Sequence, residues 1–207
     1  MSTLKVSLVS LAAVSACAFG AWSLGACVFG EQGAAGAEHL ANHVWLDRLP
    51  TDERDIITHL LAVESRDGRF GLVGRSSTWR HVIEVFKWHR ENDRLTLFFP
   101  QERSRATFKA RTWECKGEAP APFELCLELA RGDRSVVLYS RHDWIVEPHE
   151  LVADSSEAVA ELIAENAELR PLASSLGAAR ADVASAVEAD DTVDVSDAAA
   201  WALVGEG

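Results

Sequence analysis

The stretch from Trp79 to Trp144 limits the fold more than any other part of the chain. It holds five segments rich in Val, Leu, Phe, Trp and Thr: Arg80–Arg90, Arg94–Phe99, Arg105–Cys115, Phe123–Ala130 and Ser135–Trp144. Turn residues separate them, the pattern of consecutive β-strands. Upstream, Val44–Asp47, Asp55–Ser65 and Arg69–Ser77 read the same way, which makes eight strands. Parallel pairing needs a crossover connection, usually a helix, and none is available, so the strands should run as an antiparallel meander. Eight short strands in about 100 residues close most simply into an up-and-down barrel, which removes exposed sheet edges.

Some of the pairing can be registered on paper. A hairpin centred on Gly132-Asp133 sets Leu129 opposite Val136, Leu127 opposite Leu138, Leu125 opposite Ser140 and Phe123 opposite His142. Its other face carries Glu124 with Arg141, Cys126 with Tyr139 and Glu128 with Val137. The Arg131-Gly132-Asp133 tripeptide is read as this turn and nothing more. The loop Lys116–Pro122, with Gly117, Pro120 and Pro122, sets Cys115 opposite Cys126, so these two are expected to form a disulfide. Asp67-Gly68 pairs Val63 with Leu72, Leu61 with Gly74 and His59 with Ser76. Gly71 and Gly74 within a strand suggest a bend or bulge of the kind a closing barrel needs. Strand Arg80–Arg90 admits two registers; the one that turns Val82, Glu84, Phe86 and Trp88 inward lets Phe86 and Trp88 meet Phe99 and Leu97.

The first 30 residues carry one charge, Lys5, and every residue from Val6 to Gly30 is apolar or small. That is a positive n-region followed by an h-region. Val14-Ser15-Ala16-Cys17 and Leu24-Gly25-Ala26-Cys27 both resemble the lipobox of bacterial lipoproteins. The resemblance implies lipidation of Cys27, with Cys17 as the alternative, cleavage of residues 1–26, and an outer-membrane lipoprotein facing the periplasm or the exterior. Val6–Phe29 is also long enough to serve as an uncleaved transmembrane anchor. Residues 27–42 are read as a tether. His39 and His43 have a spacing able to hold a metal on a helix, but no third ligand is near them in sequence and no metal is expected.

The barrel, residues 43–150, resembles the lipocalin-like family. Asn42-His43-Val44-Trp45 looks like that family's G-x-W start with the Gly missing, and Arg141 lies where its last-strand Arg is expected. The middle T-D-x-x-Y-type motif is not visible. The resemblance spans about residues 43–170 and implies a helix packed outside an eight-stranded barrel. Such a helix is expected over 151–171, with Asp154 and Glu157 as a capping box, a stripe of Val159, Leu162 and Ile163, and Pro171 past its end. The stripe should cover the outward Trp113, Val137 and Tyr139. Residues 172–207 form an Ala-rich acidic tail, partly helical or disordered. The expected fold is thus mainly β, an eight-stranded antiparallel up-and-down barrel with a C-terminal helix and that tail.

Net charge is −12, and residues 151–207 hold −10 of it, with twelve acids against two arginines. No basic face is offered to a nucleic acid. No nucleophile-elbow, dinucleotide, P-loop or zinc-protease motif is present, so no catalytic residue, cofactor or metal is assigned. The polar groups expected inside the barrel are His59, Ser76, Thr112, Glu114, Ser140 and His142, with Glu84 from the ambiguous strand. Buried carboxylates and imidazoles are costly unless paired or wet. His59, Ser76, Glu84, Trp88, Glu114 and His142 are therefore the candidate ligand-binding set. The leading expectation is a non-enzymatic, lipid-anchored barrel that binds a small apolar or amphipathic molecule. The alternative is a structural or interaction lipoprotein whose core is filled, by Phe70, Phe86, Trp88, Phe99, Phe108 and Phe123, and which recognises an envelope protein. An enzyme would need His59, His142 and Glu114 to converge.

Overall fold

Strand residues that alternate inward and outward give this chain two apolar layers, one filling a barrel and one under a helix. In the computed structural model, residues 36–66, 68–147 and 152–173 are described. The expected meander is present. β1 (Val44–Leu46), β2 (Ile57–Ser65), β3 (Gly68–Ser76), β4 (His81–Glu91), β5 (Arg94–Phe99), β6 (Ser104–Glu114), β7 (Leu125–Arg131) and β8 (Arg134–Ser140) pair in sequence order as a closed antiparallel barrel. Closure rests on one β1–β8 ladder pair, Leu46 with Tyr139. Two further contacts support it: the Ser140 hydroxyl donates to the Val44 carbonyl at 2.7 Å, and His43 bridges to Ile145.

The inward layer is a continuous apolar core. Trp45, Leu60, Phe86, Leu97, Phe99, Phe108, Leu125, Leu127 and Leu138 belong to it, each at most 1% exposed. Of the expected fillers, Phe70 and Phe123 lie outside instead. Phe123 stacks on Tyr139 at 5.3 Å and meets Trp144 edge-on at 5.9 Å. Gly71 faces inward beneath Phe86: a Cβ there would run into the Leu61 carbonyl and the Phe86 ring. Its missing side chain is what lets that ring into the barrel.

The outer layer lies under the C-terminal helix, α1 (Val152–Glu165), and the 3-10 turn Ala167–Leu169 that follows. Val159, Leu162, Ile163, Leu169 and Leu172 pack with Val44, Leu46, Leu61, Val63, Leu72, Val85 and Trp144. The stripe covers the β1–β4 wall rather than Trp113 and Val137; Tyr139 only borders it. Trp113 is covered instead by the Arg111 guanidinium, 4.6 Å from its ring. The helix begins at Val152, so Asp154 lies in its first turn and is not the N-cap. Asn166 ends it, accepting from the Trp144 indole at 3.3 Å and donating to the Leu162 carbonyl at 2.9 Å.

Two registers differ from expectation. The β2–β3 turn falls one residue early, so Val63 faces Phe70, Leu61 faces Leu72 and His59 faces Gly74. In β6–β7, Trp113 faces Cys126, and the Cys115–Cys126 disulfide forms across a diagonal with Cα atoms 5.5 Å apart. The β7–β8 pairs Leu129–Val136, Leu127–Leu138 and Leu125–Ser140 are as read from the sequence.

The described part of the segment read as a tether belongs to the barrel. Ala37 and Leu40 are buried in the core across one barrel end. Thr112 Oγ1 donates to the Gly36 carbonyl at 3.0 Å, Arg90 donates to the Ala37 carbonyl, and the Trp45 indole donates to the Leu40 carbonyl at 3.2 Å. Asn42, at φ 63°, reverses the chain into β1, and its side chain accepts from the Glu64 amide at 2.9 Å. Among the described residues no helix is long and apolar enough to cross a membrane. The leader, Cys17, Cys27 and the 174–207 part of the tail lie outside the described residues.

Candidate functional site

The end of the barrel opposite this plug is open. There β2, β3, β4 and β5 line a cavity of about 380 Å³. Thr58, Val73, Arg75, Val82 and Glu84 face into it by strand alternation, and the buried Phe99 closes it toward the core. Phe99 is held from below by Phe86, edge-on at 5.9 Å. Ile56, Arg80 and His81 stand at the rim.

Short local devices shape that rim. In the β3–β4 turn the Ser77 hydroxyl accepts from the Trp79 and Arg80 amides, at 3.3 and 3.2 Å, and the Ser77 amide donates to the Arg80 carbonyl at 2.7 Å. In the β1–β2 loop Arg48 donates to Asp55 at 2.7 Å and to the Ile56 carbonyl at 2.6 Å. The bond from Arg48, with the Thr51 amide, holds the Asp55 carboxyl down at about 2. The two loops are tied by the Thr78 amide donating to the Glu53 carbonyl at 3.1 Å. Trp79, Val82 and Ile56 are 70, 71 and 38% exposed; among the described residues only Ile145, beyond β8, is another large apolar side chain so exposed. Among the described residues, three of the four exposed large apolar groups therefore lie on this mouth or in the β3–β4 turn beside it.

Glu84 is the ionisable group inside this cavity that the sequence already singled out. It is half-buried, and its Oε2 is buried without a hydrogen-bond partner among the described residues. Burial, and then the neighbouring Glu102, push its carboxyl above the usual range. Ser104, inward on β6 at the same end, likewise has a buried hydroxyl without a partner. Unsatisfied buried polar atoms are rare enough to ask what completes them.

The other candidates lie elsewhere. His59 and Ser76 face outward, in the layer under the helix, and not into the barrel. They are fully buried there, 3.3 Å apart from His59 Nδ1 to Ser76 Oγ. Burial pushes the His59 imidazole down to about 4. β2 is apolar on both faces because both are covered, so its pattern could not say which side is the interior. Trp88 faces inward but belongs to the packed core, and its indole donates to the Val63 and Phe70 carbonyls, each at 3.1 Å.

Glu114 and His142 are exposed side chains at the plugged end, 3.4 Å apart. His39 joins them there, 6.4 Å from His142 and 6.0 Å from His43 between ring centroids. His43 is held down at about 4, first by burial and then by the charge of His39. His142 is the third histidine that the spacing of His39 and His43 did not reveal. Even so, among the described residues no three His, Cys, Asp or Glu are placed to hold a metal ion. His59 is on the opposite half of β2, so His59, His142 and Glu114 do not converge. Arg141 follows β8 and lies over Trp144, 5.6 Å from its ring, while Trp45 points into the core.

Arg75, Thr58 and Val73 were missed. Their signal was in the strand pairing: once Glu84 and Val82 face inward, the residues opposite them, Val73 and Arg75, must too. Comparison with family models, with curated proteins and with solved structures finds no match to this chain.

Proposed function

We propose that this is a non-enzymatic envelope protein whose barrel mouth binds a small apolar or amphipathic molecule. The observation that carries the reading is the cavity between β2 and β5, walled by Val73, Val82 and Phe99 and rimmed by exposed Ile56, with exposed Trp79 in the adjoining β3–β4 turn. Its volume is at the lower end of small-molecule sites, and it combines apolar walls with a few convergent polar groups. The eight-stranded closed barrel and the outer helix fit the lipocalin-like resemblance drawn from the sequence. The lipobox-like Leu24-Gly25-Ala26-Cys27 supports a lipid anchor at Cys27, with Cys17 the alternative, and outer-membrane placement.

The binding test uses N-phenylnaphthylamine, whose fluorescence rises in apolar surroundings, with the full-length protein. Saturable binding that Thr58→Trp abolishes by filling the mouth is the expected result. Absence of binding, or binding unaffected by that substitution, sinks the reading. Anchoring is tested separately by labelling cells with radioactive palmitate: incorporation should be lost in Cys27→Ser and kept in Cys17→Ser.

A second reading is a structural barrel that recognises an envelope protein. It is favoured by the rest of the interior, where Trp45, Phe86, Phe108 and the leucines leave the core packed. Cross-linking from Trp79-side positions to a protein partner, without any retained small molecule, would favour it.

A further inference from the structure

We infer that the mouth selects a neutral polar head group, a hydroxyl or a carboxamide on an apolar body, through Arg75 and Glu84. This rests on the binding reading above. Arg75 stands opposite Val82 and Glu84 opposite Val73, so the two are diagonal neighbours on the inward faces of β3 and β4. Diagonal neighbours on an antiparallel pair are about 7–8 Å apart, close enough for long side chains to meet. Yet neither side chain has a hydrogen bond or ion pair among the described residues, and Glu84 Oε2 is buried without a partner.

A guanidinium only donates, and an ionised carboxylate only accepts. A group seated between Arg75 and an ionised Glu84 must accept from the first and donate to the second. A hydroxyl or a primary amide does both with one head. A carboxylate satisfies Arg75 but sets a second anion against Glu84. An ammonium satisfies Glu84 but sets a second cation against Arg75. Either mismatch is a like-charge contact beside the half-buried Glu84. Val73, Val82 and Phe99 then take the apolar body, and the cavity volume suits a medium-length chain rather than a two-chain lipid.

The test is displacement of N-phenylnaphthylamine from the full-length protein by octanol, octanamide, octanoate and octylamine, each corrected for its partition into an apolar solvent. Octanol and octanamide should displace at concentrations about tenfold lower than the two ions, a difference of roughly 1.4 kcal/mol. Glu84→Gln puts an amide donor where the carboxylate was, and should bring octanoate up to the neutral pair. Arg75→Gln should do the same for octylamine. Both positions are partly solvent-exposed, and retained probe binding reports that each variant is folded. Octanoate or octylamine binding as well as the neutral pair in the unsubstituted protein overturns the inference. So does a ranking that neither substitution moves. A probe that binds with a flat ranking leaves the pocket standing and removes only the selectivity. A probe that does not bind removes both.

Discussion

At the scale of single residues, His59 links the fold to pH. Its imidazole titrates near 6.5 when unfolded and at about 4 in the barrel, because burial disfavours the charged ring. As pH falls, the unfolded chain therefore takes up this proton first. The contribution of a neutral His59 is complete above about 6.5, is lost between 6.5 and 4, and changes no further below that. The loss is about 3 kcal/mol at roughly 1.4 kcal/mol per unit. His43, also held at about 4, acts in the same direction. Urea midpoints near pH 7 and near pH 4 should differ accordingly, and His59→Gln should lower the difference by about 3 kcal/mol. An unchanged pH dependence in that variant would mean that His59 is not the buried group described.

At the scale of elements, the Cys115–Cys126 bridge closes a short loop between β6 and β7, with a sequence separation of 11. Replacing both cysteines by serine should lower stability by about 3 kcal/mol through the freer unfolded chain, read as a shift in the denaturant midpoint. Leu162→Ala should remove roughly 2–4 kcal/mol, because it opens a hole between α1 and the β1–β4 wall. Thermal unfolding of that variant measures it. How far these elements were readable depended on how differently their two faces are treated. In β7 and β8, Leu125, Leu127 and Leu129 alternate with Glu124, Cys126 and Glu128, so one register satisfies the pattern and it is the one found. In β2, Leu60 and Ala62 fill the barrel while Leu61 and Val63 lie under the helix. Both faces are apolar, and alternation carries no information about which is inside. His59 was misplaced for that reason, whereas Glu84 was placed correctly because Phe86 and Trp88 need Phe99 and Leu97 as neighbours. The plug was hidden for another reason: Ala37 and Leu40 sit in a non-periodic stretch of small residues, and only the tertiary structure shows what they cover.

At the scale of the whole molecule, the plug makes residues 36–42 part of the folded unit. A chain beginning at Gly36 keeps the plug and is the reference for its contribution. One beginning at His43 should lose about 3 kcal/mol or more, from the exposed core and the lost burial of Ala37 and Leu40. Circular dichroism during urea titration measures the difference. The plug has a kinetic consequence as well. With one end sealed, the barrel is a cup and not a conduit, and a guest of the kind proposed would arrive and depart through the same door. A newcomer has no back route by which to push the occupant out. The rate of leaving should then be first-order and indifferent to how much competitor waits outside: dilution and chase should give one and the same rate constant, and a chase that hastens departure would reveal a second door.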